Sequence, residues 1–106
     1  QTFGRVMAAT RTNERVALVD FYADWCGPCK TLSPILEKLT HDADLKTGSG
    51  LQIDLVTVDT DEQGALAQRY NVRALPTVVA FRGGEPVKQF VGALPESGVR
   101  KFLEDV

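Results

Sequence analysis

Cys26 and Cys29 are the two cysteines of this 106-residue chain, and only Gly27 and Pro28 stand between them. A disulfide across that spacing closes a very small ring. Stabilisation by chain entropy grows with ring size, so such a bond is a poor structural staple and a reactive role suits the pair better. If the pair lies where a strand gives way to a helix, Cys26 meets first-turn amides that lack intrahelical partners and the positive end of the helix dipole. Both favour thiolate over thiol. The thiolate is the attacking species in thiol–disulfide exchange, which makes Cys26 the candidate nucleophile that forms a mixed disulfide. Cys29, one turn further in, is expected to be less exposed with a higher pKa, and it is the candidate resolving thiol. A resolving thiol needs a proton acceptor. Asp20, set in Val19-Asp20-Phe21-Tyr22 with no basic neighbour in sequence, is costly to keep charged once buried, so its pKa should rise toward neutrality as an acceptor requires. Trp25, directly before Cys26, is read as shielding the disulfide and offering partners a flat apolar contact. Asp24 and Lys30 read as solvated flanks, and His41, near the end of the same helix, is given no role.

The pattern of the chain supplies elements that could hold these groups. Val16 to Ala23 is a nearly continuous apolar, β-branched and aromatic run, the mark of a central strand buried on both faces. After the Cys-Gly-Pro-Cys turn, Leu32, Ile35, Leu36 and Leu39 repeat at helical spacing, with Pro34 inside that helix expected to bend it. Asp42 to Gly50 is polar and reads as a surface loop before a strand over Leu51 to Val58. Asp61 and Glu62 introduce a helix through Ala65, Leu66 and Tyr70. Thr77 to Phe81 and Val87 to Val91, on either side of Gly83-Gly84, read as an antiparallel hairpin that ends at Gly92. Pro95 suits the first turn of a last helix carrying Val99, Phe102, Leu103 and Val106. At the start, Phe3, Val6, Met7 and Thr10 follow helical spacing. That order implies one α/β domain over residues 1–106, with helices on both faces of its sheet.

Bulk composition agrees. With 43% hydrophobic and 25% charged residues the chain is of ordinary globular make-up. A net charge of -2 without any basic run argues against a nucleic-acid partner. No apolar stretch approaches the roughly 18 residues of a membrane span, so no membrane partner is expected. The chain opens on Gln1, which processing and trimming would both produce. Residues Thr2 to Arg15 carry three Arg and no acid before Glu14, a faint likeness to a mitochondrial transit segment, although the helical spacing favours an ordinary amphipathic helix.

The sequence also resembles the thioredoxin family over nearly its whole length. The run Val19 to Lys30 is similar to the family's active-site strand and turn, Pro34 matches its helix-kinking proline, Ala74-Leu75-Pro76-Thr77 is similar to its cis-proline loop, and Phe90-Val91-Gly92-Ala93 is similar to the segment that completes its substrate groove. The resemblance implies a thioredoxin fold, with a central mixed sheet of about four strands and helices on both faces. It implies a cis bond before Pro76 and a groove shaped by Trp25, Gly27, Pro28, Leu75, Pro76, Thr77, Gly92 and Ala93, in which Leu75 and Thr77 offer backbone groups to an extended substrate. The activity implied is protein-disulfide reduction through a redox-active Cys26–Cys29 disulfide, without a bound cofactor. Electrons would come indirectly from NADPH through a flavin-containing thioredoxin reductase. The implied partners are that reductase and protein disulfide substrates, the implied form a monomer, and the implied setting intracellular, in the cytoplasm or mitochondrial matrix. Three departures stand out: the chain starts at the opening helix without the family's preceding edge strand, the loop from Asp42 to Gly50 is longer than usual with no functional change expected, and Thr57 replaces a lysine that many members carry near the buried acid. The last departure predicts a higher pKa for Asp20.

Three other readings compete. An oxidising or isomerising domain of the protein disulfide isomerase kind typically places histidine after the second cysteine, where this chain has Lys30. A zinc module needs about four Cys or His ligands, against two Cys and one His here. A groove that binds without turnover would survive Cys26→Ser.

Overall fold

The computed structural model describes residues 3–10 and 15–106. Gln1, Thr2 and the segment 11–14 lie outside them, so the transit-like charge pattern at the start is only partly covered. The elements run α1 (Phe3–Thr10), β1 (Arg15–Tyr22), α2 (Gly27–His41), β2 (Gln52–Asp59), α3 (Gly64–Arg69), β3 (Thr77–Arg82), β4 (Glu85–Val91) and α4 (Glu96–Glu104). The four strands form one mixed sheet in the order β2-β1-β3-β4. β1 pairs parallel with β2 and antiparallel with β3, and β3 pairs antiparallel with β4.

β1 is interior, and this explains its unbroken apolar run. Val16, Leu18 and Asp20 face one side with Val78 and Ala80 of β3, while Ala17, Val19 and Phe21 face the other with Val79 and Phe81. On the first face, α2 and α4 supply Leu32, Leu36, Leu39, Val99, Phe102 and Leu103. On the second, α1 and α3 supply Val6, Met7 and Ala67, with Phe3 and Tyr70 at its margin. Edge-on ring pairs lock each layer, Tyr70 against Phe81 at 5.2 Å and Phe90 against Phe102 at 4.9 Å. Arg15 clamps β1 to β2 with a forked pair of bonds to Asp54, 2.7 and 2.8 Å.

The expected elements are all present, with differences at their ends. α3 begins at Gly64, later than Asp61 and Glu62 suggested. The Asp59 carboxylate accepts the Asp61 N–H at 2.9 Å, and the Asp59 carbonyl accepts from Glu62 and Gln63, so these residues form a turn before the helix. Pro95 is the N-cap residue of α4, one position ahead of the first turn. α2 continues through Pro34 as one helix. Gly83 and Gly84 turn the hairpin with φ of 63° and 80°, the left-handed pair that a tight two-residue connection requires.

The loop between α2 and β2 is more than a connector. Its Gly48 and Ser49 amides donate to the Leu103 and Val106 carbonyls at 3.0 and 3.1 Å. They tie the loop to the last turn of α4, where the Leu103 carbonyl also accepts the Val106 N–H at 3.2 Å, and to Val106 just beyond it.

Candidate active site

β1 ends at Tyr22, and Ala23-Asp24-Trp25 turns the chain into α2. The Cys26 N–H donates to the Ala23 carbonyl at 3.1 Å, closing that turn. Cys26 is the N-cap residue of α2, with extended φ and ψ of -89° and 106°. Its Sγ accepts the backbone N–H of Cys29 at 3.2 Å. Pro28 has no N–H to offer, so the Cys29 amide is the first-turn donor that reaches the sulfur. A donor aimed at Sγ favours its anion.

Cys26 and Cys29 are joined as a disulfide with their Cα atoms 5.3 Å apart. Both residues are buried, 4% and 2% exposed, in a small cluster with Ala23 against Tyr22 and Leu75. The expected contrast in exposure is therefore slight in this oxidised form, because Leu75 and Ala23 cover the pair together. Gly27 and Pro28 remain exposed.

Leu75 belongs to the loop before β3, and the Leu75–Pro76 bond is cis. That loop is tied at both ends. Thr77 Oγ1 donates to the Ala74 carbonyl at 2.6 Å, and the Pro76 carbonyl accepts the Gly92 N–H at 2.9 Å. Gly92 closes β4 with φ of 94°, a left-handed conformation that favours glycine. The structure thus sets Leu75 against the disulfide and ties Pro76, Thr77 and Gly92 into the loop that carries it, while Ala93 follows exposed.

Asp20 lies beneath this surface, 1% exposed. Burial pushes its carboxyl up to about 6 from an ordinary 3.8, partly offset by a hydrogen bond from Ser33 Oγ to Oδ2 at 3.4 Å. Its Oδ1 meets no hydrogen-bond partner among the described residues. Its register partners are Thr57 on β2 and Val78 on β3, so no cation flanks it along the sheet. Tyr22, two residues further along β1 and half-buried, has its phenol pKa raised by burial and by the carboxylates of Asp59, Asp24 and Glu62.

Trp25 is 71% exposed, and its indole N–H donates to Asp61 Oδ2 at 3.1 Å. Asp24 and Lys30 are exposed, and His41 is the last residue of α2. Sequence reasoning missed Asp61 and Ser33. The signal for Ser33 was its place four residues after Cys29, on the same helix face. Asp61 carried no local signal, because its partner is distant in sequence. Among the described residues no cluster of three or more His, Cys, Asp and Glu is placed to hold a metal ion. No described helix is long and apolar enough to cross a membrane.

Comparison with known proteins agrees in sequence and in shape. The family model described as Thioredoxin matches residues 2–105. Thioredoxin Y, chloroplastic, from Oryza sativa subsp. japonica is 38% identical over 104 residues, covering 98% of this chain and 58% of that protein. A thioredoxin of Staphylococcus epidermidis is 42% identical over 89 residues, 84% of this chain and 80% of the relative. Among solved structures, a mutant thioredoxin from Halobacterium salinarum NRC-1 superposes with a TM-score of 0.79 at 37% identity, covering 99% of this chain and 85% of that one.

Proposed function

The chain belongs to the thioredoxin family of thiol–disulfide oxidoreductases, and on that premise we propose that it reduces protein disulfides, with Cys26 as nucleophile, Cys29 as resolving thiol and Asp20 as proton acceptor. The observation that carries the reading is the Cys29 amide aimed at Cys26 Sγ from the first turn of α2. A preorganised donor at that sulfur favours its thiolate both as attacking group and as leaving group.

The reaction balances as two exchanges. The Cys26 thiolate attacks one sulfur of the substrate disulfide, forming a mixed disulfide and releasing the first substrate thiolate. The Asp20 carboxylate takes the Cys29 proton. The Cys29 thiolate then attacks Cys26 Sγ, forming the Cys26–Cys29 disulfide and releasing the second substrate thiolate. Two electrons pass to the substrate. The substrate segment lies along Trp25, Gly27, Pro28, Leu75, Pro76, Thr77, Gly92 and Ala93, pairing its backbone with Leu75 and Thr77.

Family membership extends the reading to the supply of electrons: a flavin-containing thioredoxin reductase that draws on NADPH would restore the dithiol. The protein would act as an intracellular monomer with no resident cofactor. Equilibration in glutathione buffers tests the direction of exchange. A potential near the about -270 mV typical of thioredoxin is expected, and one near the about -180 mV of protein disulfide isomerase would overturn the reductase.

A further inference from the structure

Ser33 follows Cys29 by four residues on α2, so the two side chains share a helix face. Both line one cleft of about 270 Å³ beside the active-site turn. Ser33 is half-buried, and its hydroxyl reaches inward to Asp20 Oδ2 at 3.4 Å while Oδ1 meets no donor among the described residues. One serine thus touches the buried acid and borders the space beside the second cysteine.

None of the other described neighbours of Asp20 donates a hydrogen bond to its carboxyl. Thr57 of β2 and Val78 of β3 flank it in register and do not titrate. The apolar Leu32 and Leu36 of α2 and Val99 of α4 belong to the same layer. Of the titratable groups along the cleft, Tyr22, Asp24, Lys30 and Glu37 stand with Cys29 and Ser33, but the hydrogen bond to the acid comes from Ser33 alone among the described residues.

We propose that Ser33 is a positioning residue for the exchange reaction: its hydroxyl holds Asp20 Oδ2, fixing the carboxyl so that Oδ1 is left to take the Cys29 proton. This rests on the reading of Asp20 as proton acceptor. A hydroxyl that donates to a carboxylate favours its charged form, so Ser33 also limits how far burial raises the acid. Ser33 fixes the carboxyl from the helix side, and among the described residues neither Thr57 nor Val78 on the sheet donates to it.

The test uses the oxidised protein. Opening of the disulfide by dithiothreitol expels Cys29 as a thiolate, and protonated Asp20 returns its proton, the microscopic reverse of resolution. The Asp20 carboxyl is titrated by carbon-13 NMR, and opening rates, corrected for the thiolate fraction of dithiothreitol, are followed against pH by Trp25 fluorescence. Ser33→Ala is expected to raise both the carboxyl midpoint and the rate midpoint by about half a pH unit, and Ser33→Thr to restore both. A carboxyl midpoint unchanged in Ser33→Ala, or one that moves without the rate midpoint, overturns the role of Ser33. Asp20→Asn separates the underlying reading. If its rates keep the wild-type midpoint, Asp20 is not the proton carrier. If that midpoint disappears while Ser33→Ala matches wild type, Asp20 keeps its role and only the Ser33 proposal fails.

Discussion

The indole N–H of Trp25 and the carboxylate of Asp61 meet at 3.1 Å across the active-site surface, 36 residues apart in sequence. Each is anchored from behind. Asp61 sits in the turn that the Asp59 carboxylate organises, and Thr60 in the same turn donates both its N–H and its hydroxyl to the Tyr22 carbonyl, at 2.9 and 3.1 Å. The turn after β2 is therefore fastened to the end of β1, and through it to the segment that carries Trp25. An exposed ring held in this way can serve as a rigid wall for a substrate, since little rotamer freedom remains to be lost on binding.

Asp61→Ala should free that wall without unfolding the protein. A hydrogen bond at the surface contributes about 1 kcal/mol or less, so the urea midpoint should barely move. Fluorescence anisotropy of Trp25 should fall, and KM for a protein disulfide should rise more than kcat falls. Unchanged anisotropy would show that the ring is held by something other than Asp61.

The two cysteines should be separable by trapping. With Cys29→Ser, a substrate disulfide should remain covalently attached at Cys26 and be visible as a mass adduct. Cys26→Ser should form no adduct under the same conditions. An adduct on Cys29 in the second variant, formed as fast as that on Cys26 in the first, would reverse the assigned order.

Asp20 should cost stability, with a definite dependence on pH. Its carboxyl is raised from 3.8 to about 6 in the fold, so the folded state holds a proton that the unfolded state releases in that window. The cost is absent below pH 3.8, grows as pH rises to about 6, and is complete above it. At about 1.4 kcal/mol per pH unit, the full effect is about 3 kcal/mol. Asp20→Asn should therefore stabilise the oxidised protein at pH 7 by up to about that amount and by little near pH 4. Equal effects at both pH values would place the raised carboxyl elsewhere.

Much of the fold was legible because periodicity reports burial. Val16 to Ala23 reads as apolar without alternation because β1 is covered on both faces, and the Gly83-Gly84 turn is legible because only such residues suit two successive positive φ values. The reactive pair was legible from Cys26 and Cys29 alone, and Asp20 from its charge in an apolar run. α3 starts later than Asp61 and Glu62 suggest because Asp59 folds them into a turn, its carboxylate accepting the Asp61 N–H and its carbonyl those of Glu62 and Gln63. Partners brought close only by the fold, such as Asp61 for Trp25, leave no periodic trace. The role of Gly48 was hidden for the same reason, since what it approaches is the backbone of α4.

Gly48 and Gly50 make the last comparison, because two glycines of one loop should fail for different reasons. Gly48 lies under the end of α4, where a Cβ would collide with the backbone carbonyl oxygen of Glu104. Relief would require the loop to withdraw, and the bonds from Gly48 to Leu103 and from Ser49 to Val106 would go with it. Gly50 has open space around it but holds a φ of 80°, which for alanine costs about 1–2 kcal/mol in strain alone. Gly48→Ala should therefore destabilise the protein by about 2–3 kcal/mol in urea unfolding, more than Gly50→Ala. Hydrogen exchange at the end of α4 should quicken in Gly48→Ala and stay near wild type in Gly50→Ala. The potential of the Cys26–Cys29 pair should hold in both, because this loop takes no part in the cluster around the cysteines. If Gly48→Ala proved as stable as wild type, the loop would not be what holds the end of α4 in place.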